Sequence, residues 1–167
     1  MKDLTQIKLF VMDVDGTLTD GKIYISDQGE AMKAFSPKDG LGIKLLKKHD
    51  IIPAIITGRT SEIVRNRCRE IGIHVLYQGI RDKASKLQEL MKKYELTPEQ
   101  VAYIGDDMND LSAMELAGVT FAPADCATQL VPYVDILLTK KAGDSPVREA
   151  IDMILKGRLT RSDYIGL

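Results

Sequence analysis

The stretch FVMDVDGTLTDG, residues 10–21, decides the fold. An apolar run ends in Asp13 and Asp15, two residues apart, and Gly16 follows at once. In a strand, residues i and i+2 point the same way. Two like charges on one face at a strand end repel, and a bound cation is the simplest thing to offset that. The stretch therefore predicts a buried strand whose carboxyl end carries a site.

Outward from there, apolar strand-like runs recur at 7–12, 51–56, 74–76, 101–104, 119–122 and 135–138. Several are β-branched and apolar on both faces, as a parallel sheet covered on both sides requires. Helical spacing of apolar residues falls between them, at 40–48, 61–71, 82–94, 109–117 and 146–155. Caps mark the boundaries: Ser36-Pro37 and Ser145-Pro146 as cap-then-proline, Thr97–Gln100 as a capping box in sequence. One segment breaks the alternation. Residues 22–26, a turn at 27–30, and residues 31–35 read as a β-hairpin inserted after the first strand. The pattern predicts one α/β domain over 1–167, with the hairpin at 22–35 and a tail at 156–167. In such sheets ligands sit at the carboxyl ends of the strands.

Composition narrows the function. The 167 residues carry a net charge of −1, which argues against nucleic-acid binding driven by bulk charge. Apolar runs are only strand-length, and MKDLTQIK at the start lacks the apolar region of a signal peptide. Cys68 and Cys126 form no CxxC pattern, and reduced thiols in a cytoplasmic protein are expected. His49 and His74 show no metal-ligand spacing, and the methionines read as core filler.

Four strand ends lead into polar groups. They are Asp13 and Asp15; Thr57-Gly58-Arg59; Lys83 after Gly79; and Gly105-Asp106-Asp107-Met108-Asn109-Asp110. Carboxylates, a hydroxyl and two cations suit Mg²⁺ and a phosphoryl group. DxDGT at 13–17, Thr57, Lys83 and GDDxND at 105–110, in this order, resemble the haloacid dehalogenase superfamily of aspartyl phosphatases. The resemblance implies a Rossmann-like fold with Asp13 as nucleophile and Asp15 as acid and base. It further implies Mg²⁺ held by Asp13, the backbone carbonyl of Asp15 and Asp106, with Asp107 and Asp110 in or near its outer sphere. Thr57 and Lys83 would bind phosphate oxygens, Lys83 also orienting Asp13. Gly16 and Gly58 would let backbone N–H groups approach the phosphate.

The spaces between motifs hold no large cap. Within that superfamily the chain resembles the cap-less sugar-acid phosphatases, specifically the 3-deoxy-D-manno-octulosonate 8-phosphate (KDO 8-phosphate) phosphatases. The matching stretches are 19–21, 29–30 with 33–35, 39–42, 55–59, 76–79, 101–107 and 147–149. That resemblance implies a sugar-acid phosphate substrate and a homotetramer whose hairpins meet around the axis, with the tail a candidate partial lid. Arg59 and either Lys33 or Arg148 would then meet a sugar carboxylate or phosphate. The run 142–146 holds one glycine where the family is glycine-rich, and Asp144 adds a negative charge there. Phosphatases of 2-keto-3-deoxynononate (KDN) 9-phosphate or N-acylneuraminate 9-phosphate are the nearest alternative. A phosphoacceptor receiver domain is the alternative from another class. It would carry its acceptor after a middle strand, and Asp15 would shorten the life of a signalling phosphate. A purely structural oligomer would leave four polar strand ends without a purpose.

Overall fold

A computed structural model describes residues 2–166; Met1, and Leu167 at the end of the expected tail, lie outside the described residues. Strands β1 (Leu9–Met12), β4 (Ile52–Ile56), β5 (Val75–Tyr77), β6 (Val101–Ile104), β7 (Val119–Ala122) and β8 (Ile136–Leu137) form one sheet. Its order is β5-β4-β1-β6-β7-β8, every neighbouring pair parallel. The chain runs from β1 outward to β5, returns beside β1 as β6, and continues the other way. The direction of winding reverses between β1 and β6, the place where a doubly wound sheet opens a crevice for ligands.

Alternation along the strands feeds two cores. Phe10, Met12, Ile55 and Ile104 pack with α1 (Pro37–Lys48), α2 (Glu62–Ile71) and α5 (Pro146–Ile154). Leu9, Val11, Ile56 and Tyr103 pack with α3 (Lys83–Lys93) and α4 (Leu111–Met114). Helices therefore cover both faces, which is why these strands are apolar throughout. Strands β2 (Tyr24–Ser26) and β3 (Gly29–Met32) form the expected hairpin as a separate two-stranded sheet, closed at its base by a bridge between Thr19 and Phe35.

Helix α1 begins at Pro37, where the cap-then-proline pattern puts it, and the Ser36 hydroxyl accepts from the Lys38 N–H. The helix expected at 109–117 is a 3₁₀ turn, Met108–Asp110, followed by the single turn α4. Its first turn is taken up by Asp110, which points inward. The tail forms a 3₁₀ turn at Arg161–Tyr164 against the end of α1. Lys48 Nζ donates to the carbonyls of Asp163 and Ile165, and His49 Nε2 lies 3.2 Å from Asp163. That end of α1 leads into the amino end of β4, so within one subunit the tail packs at the end of the sheet opposite the cleft.

Candidate active site

The β1–β6 reversal places Asp13 beside Asp106. Carboxylate oxygens of Asp13, Asp106 and Asp110 lie within 4.8 Å of one another. Burial is the main cost of holding three acids so close, and mutual repulsion adds to it. Burial, then the Asp110 charge, pushes the Asp13 carboxyl up to about 6. Burial, then the charges of Asp13 and Asp110, pushes Asp106 up to about 8.

Lys83, from the first turn of α3, answers part of that charge. Its ammonium is buried, 2.7 Å from Asp110 Oδ1 and 3.1 Å from Asp13 Oδ2. Burial works against its charge, but the two carboxylates outweigh it and hold the lysine above its ordinary value. Asp110 is fully committed: Oδ1 also accepts from Tyr103 Oη at 2.9 Å, and Oδ2 accepts from the Asp106 N–H at 3.1 Å. It braces Lys83 and the Asp106 loop, leaving Asp13 and Asp106 to face a ligand. Asp13 Oδ1 is buried and has no partner. An orphaned carboxylate oxygen next to Asp106, in an all-oxygen donor set with excess negative charge, fits a hard divalent cation.

A cleft of about 160 Å³ opens over these groups, lined by Asp13, Asp15, Thr57, Gly58, Arg59, Asp106, Asp107 and Asn109. Thr57 and Gly58 enter from the end of β4, and Asp107 caps the 3₁₀ turn through the Met108 N–H. Asp15 sits in the loop after β1 and meets two cations. Lys33 Nζ donates to Asp15 Oδ1, and Arg59 Nε lies 4.0 Å from Oδ2.

The expected residues thus converge, with differences of role. Lys83 lies behind Asp13 rather than in the lining, the position of a group that orients Asp13. The Gly16 N–H donates to Thr19 Oγ1 instead of facing the cleft. The room Gly16 leaves is filled by Asp106: a Cβ there would sit 2.0 Å from Asp106 Oδ2, at a φ of +84° that also favours glycine. Arg148 stands outside the cleft. Its backbone N–H donates to Asp39, its Nε pairs with Asp152 at 2.8 Å, and it lines a separate groove with Lys38 and Asp144. Asp144 is therefore also off the cleft. Glu30, Tyr103 and Asn109 were not singled out by sequence reasoning. Glu30 and Asn109 lay in matching motifs; Tyr103 read as a core strand residue.

The model of the haloacid dehalogenase-like hydrolase family matches residues 72–151. The KDO 8-phosphate phosphatase KdsC of Escherichia coli K12 is 43% identical over 149 residues, covering 89% of this chain and 79% of that protein. The crystal structure of the phosphatase of that name from Yersinia pestis superposes with a TM-score of 0.89 at 43% identity, covering 91% of this chain and 82% of that one. The Moraxella catarrhalis phosphatase, solved with magnesium ion, phosphate ion and KDO, gives 0.88 at 44% identity, covering 92% and 88%. With its β1–β6 crevice holding Asp13 against Asp106, this chain belongs to the haloacid dehalogenase-like hydrolases and, within them, to the KDO 8-phosphate phosphatase family.

Proposed function

We propose that the protein is a Mg²⁺-dependent phosphatase that hydrolyses KDO 8-phosphate to KDO and phosphate through an aspartyl-phosphate at Asp13. The observation that carries this is the unpartnered Oδ1 of Asp13, a residue that lines the cleft, while Lys83 holds Oδ2 at 3.1 Å. An Asp13 oxygen bonds to phosphorus as the ester P–O bond breaks, and its electron pair leaves on the sugar oxygen. Asp15 gives that oxygen a proton. As a carboxylate, Asp15 then takes a proton from water as the water attacks phosphorus, and the Asp13–phosphorus bond breaks to release phosphate. Asp13, the Asp15 carbonyl and Asp106 would hold Mg²⁺, whose positive charge would let one anion approach another. Thr57, Gly58 and Arg59 face the phosphoryl group and the sugar acid from the β4 side.

The assembly proposed is a homotetramer in the cytoplasm. The hairpin leaves Ile25 74% and Met32 59% exposed, two bare apolar side chains on a two-stranded unit that is marginal alone. Tetramer size comes from the family resemblance. Cys68 and Cys126 are free thiols, in keeping with a reducing compartment. A phosphate-release panel with Mg²⁺ tests the substrate. KDO 8-phosphate should give the highest kcat/KM, above KDN 9-phosphate, N-acylneuraminate 9-phosphate and hexose phosphates. A preference for a hexose phosphate would overturn the sugar-acid assignment.

A further inference from the structure

We infer that Lys33, carried on the inserted hairpin, is a positioning residue that holds the Asp15 carboxylate in line for proton transfer, with Glu30 and Ser61 holding Lys33 in turn. This rests on the acid role of Asp15 proposed above. Lys33 follows β3 directly, and its side chain has no solvent exposure. Its ammonium donates to Asp15 Oδ1 and lies 2.9 Å from Glu30 Oε1. Glu30 accepts from the hydroxyl of Ser61, the residue that caps α2, and the Ser61 N–H donates to Gln78 Oε1 at 2.8 Å. A relay of contacts therefore runs from the start of α2 through the hairpin to Asp15.

The alternative role for Lys33, a ligand for the sugar carboxylate, fits this geometry poorly. The ammonium is covered and already paired with two carboxylates, so a substrate anion would have to displace one of them. Arg59 is the more accessible cation: its side chain is 52% exposed and its ion pairs are long, 4.0 Å to Asp15 Oδ2 and 3.8 Å to Glu30 Oε1. Lys33 thus fixes one oxygen of Asp15 and leaves the other toward the cleft. Burying an ammonium at the base of a hairpin is costly in desolvation and yields little net stability against an apolar replacement. Its value lies in fixing an orientation, because small misplacements of a reacting group are expensive in rate. The hairpin then does two things: it carries exposed Ile25 and Met32 and it sets the acid inward.

The test is kcat/KM on three esters with Mg²⁺: KDO 8-phosphate, a hexose 6-phosphate lacking a carboxylate, and 4-nitrophenyl phosphate. This parameter covers the steps up to release of the alcohol, where Asp15 acts as acid. Lys33→Met should lower it about 10- to 100-fold for both alkyl esters. For the aryl ester, whose phenolate leaves without a proton, the loss should stay below about threefold. Lys33→Arg should recover part of the alkyl activity, and Glu30→Gln should show the same pattern more weakly. If Lys33→Met does not fold, Glu30→Gln decides alone. A loss confined to KDO 8-phosphate, carried by KM, would make Lys33 a substrate ligand; equal losses on all three esters would make it structural. Either result overturns the inference. A wild-type enzyme inactive on the alkyl esters would instead overturn the proposed function.

Discussion

Replacing Lys83 by methionine keeps most of the side-chain volume and removes the one buried cation among the described residues that faces Asp13 and Asp110. Asp13 is 5% exposed and Asp110 fully buried, so neither carboxylate recovers its hydration. Breaking a buried pair in this way costs about 3–5 kcal/mol. For a chain of this size that is a fall in Tm of roughly 6–20 °C. The loss depends on pH with a definite sign. Asp13 and Asp106 already bind protons more tightly folded than unfolded, and Lys83 is what lowers both. Without it their folded values rise further, so the penalty is greatest at pH 8 and shrinks toward pH 5 as they protonate. Mg²⁺ should return part of the stability at pH 8, because the cation replaces some of the missing charge. Urea unfolding at pH 5 and pH 8, with chelator and with Mg²⁺, measures all four corners. A loss below about 1 kcal/mol at pH 8 in chelator would refute the reading of Lys83 as the charge that holds the cluster together.

Other outcomes follow from the same charges. Asp13→Asn should abolish phosphate release while raising the Tm of the metal-free protein at pH 8, since it removes one of three crowded carboxylates; a melt and a phosphate assay check both. In the metal-free wild type, the contribution of Asp13 and Asp106 to stability should be greatest near pH 4 and be lost as pH rises through about 6 to 8, their folded values against the ordinary 3.8; the difference from Asp13→Asn isolates it. Asp39, pushed up to about 7 chiefly by burial, adds a component that Mg²⁺ does not remove and Asp39→Asn should. Lysine at Ile25 and Met32 together should give smaller species by light scattering; an unchanged mass would place the subunit contacts elsewhere.

Much of this architecture was legible because its signals are local. The six sheet strands and the hairpin follow from runs of apolar residues, and the paired acids at 13 and 15 mark a strand end wherever they occur. What failed was set at a distance. Nothing near Asn109 says that Asp110 turns inward to meet Lys83 and Tyr103, so an amphipathic helix was the natural reading of 109–117. Ser36, by contrast, marks the true start of α1 locally, although the apolar periodicity begins only at residue 40. Arg148 resembled a substrate residue by its place in a matching stretch, yet Asp152 one turn on takes its guanidinium. Gly16 is in the expected place but serves a different purpose: its missing side chain makes room for Asp106, an acid in the loop after β6. Lys33 shows the same limit, because only the folded hairpin reveals that its ammonium meets Asp15.

The most direct measurement is chemical trapping of the covalent intermediate. Enzyme turning over KDO 8-phosphate with Mg²⁺ is quenched and treated with borohydride, which reduces an aspartyl-phosphate to homoserine, and peptides are mapped by mass spectrometry. Homoserine should be found at position 13 in the wild type and be missing in Asp13→Asn. Steady phosphate release with aspartate intact at position 13, or with the reduced residue elsewhere, would contradict Asp13 as the nucleophile.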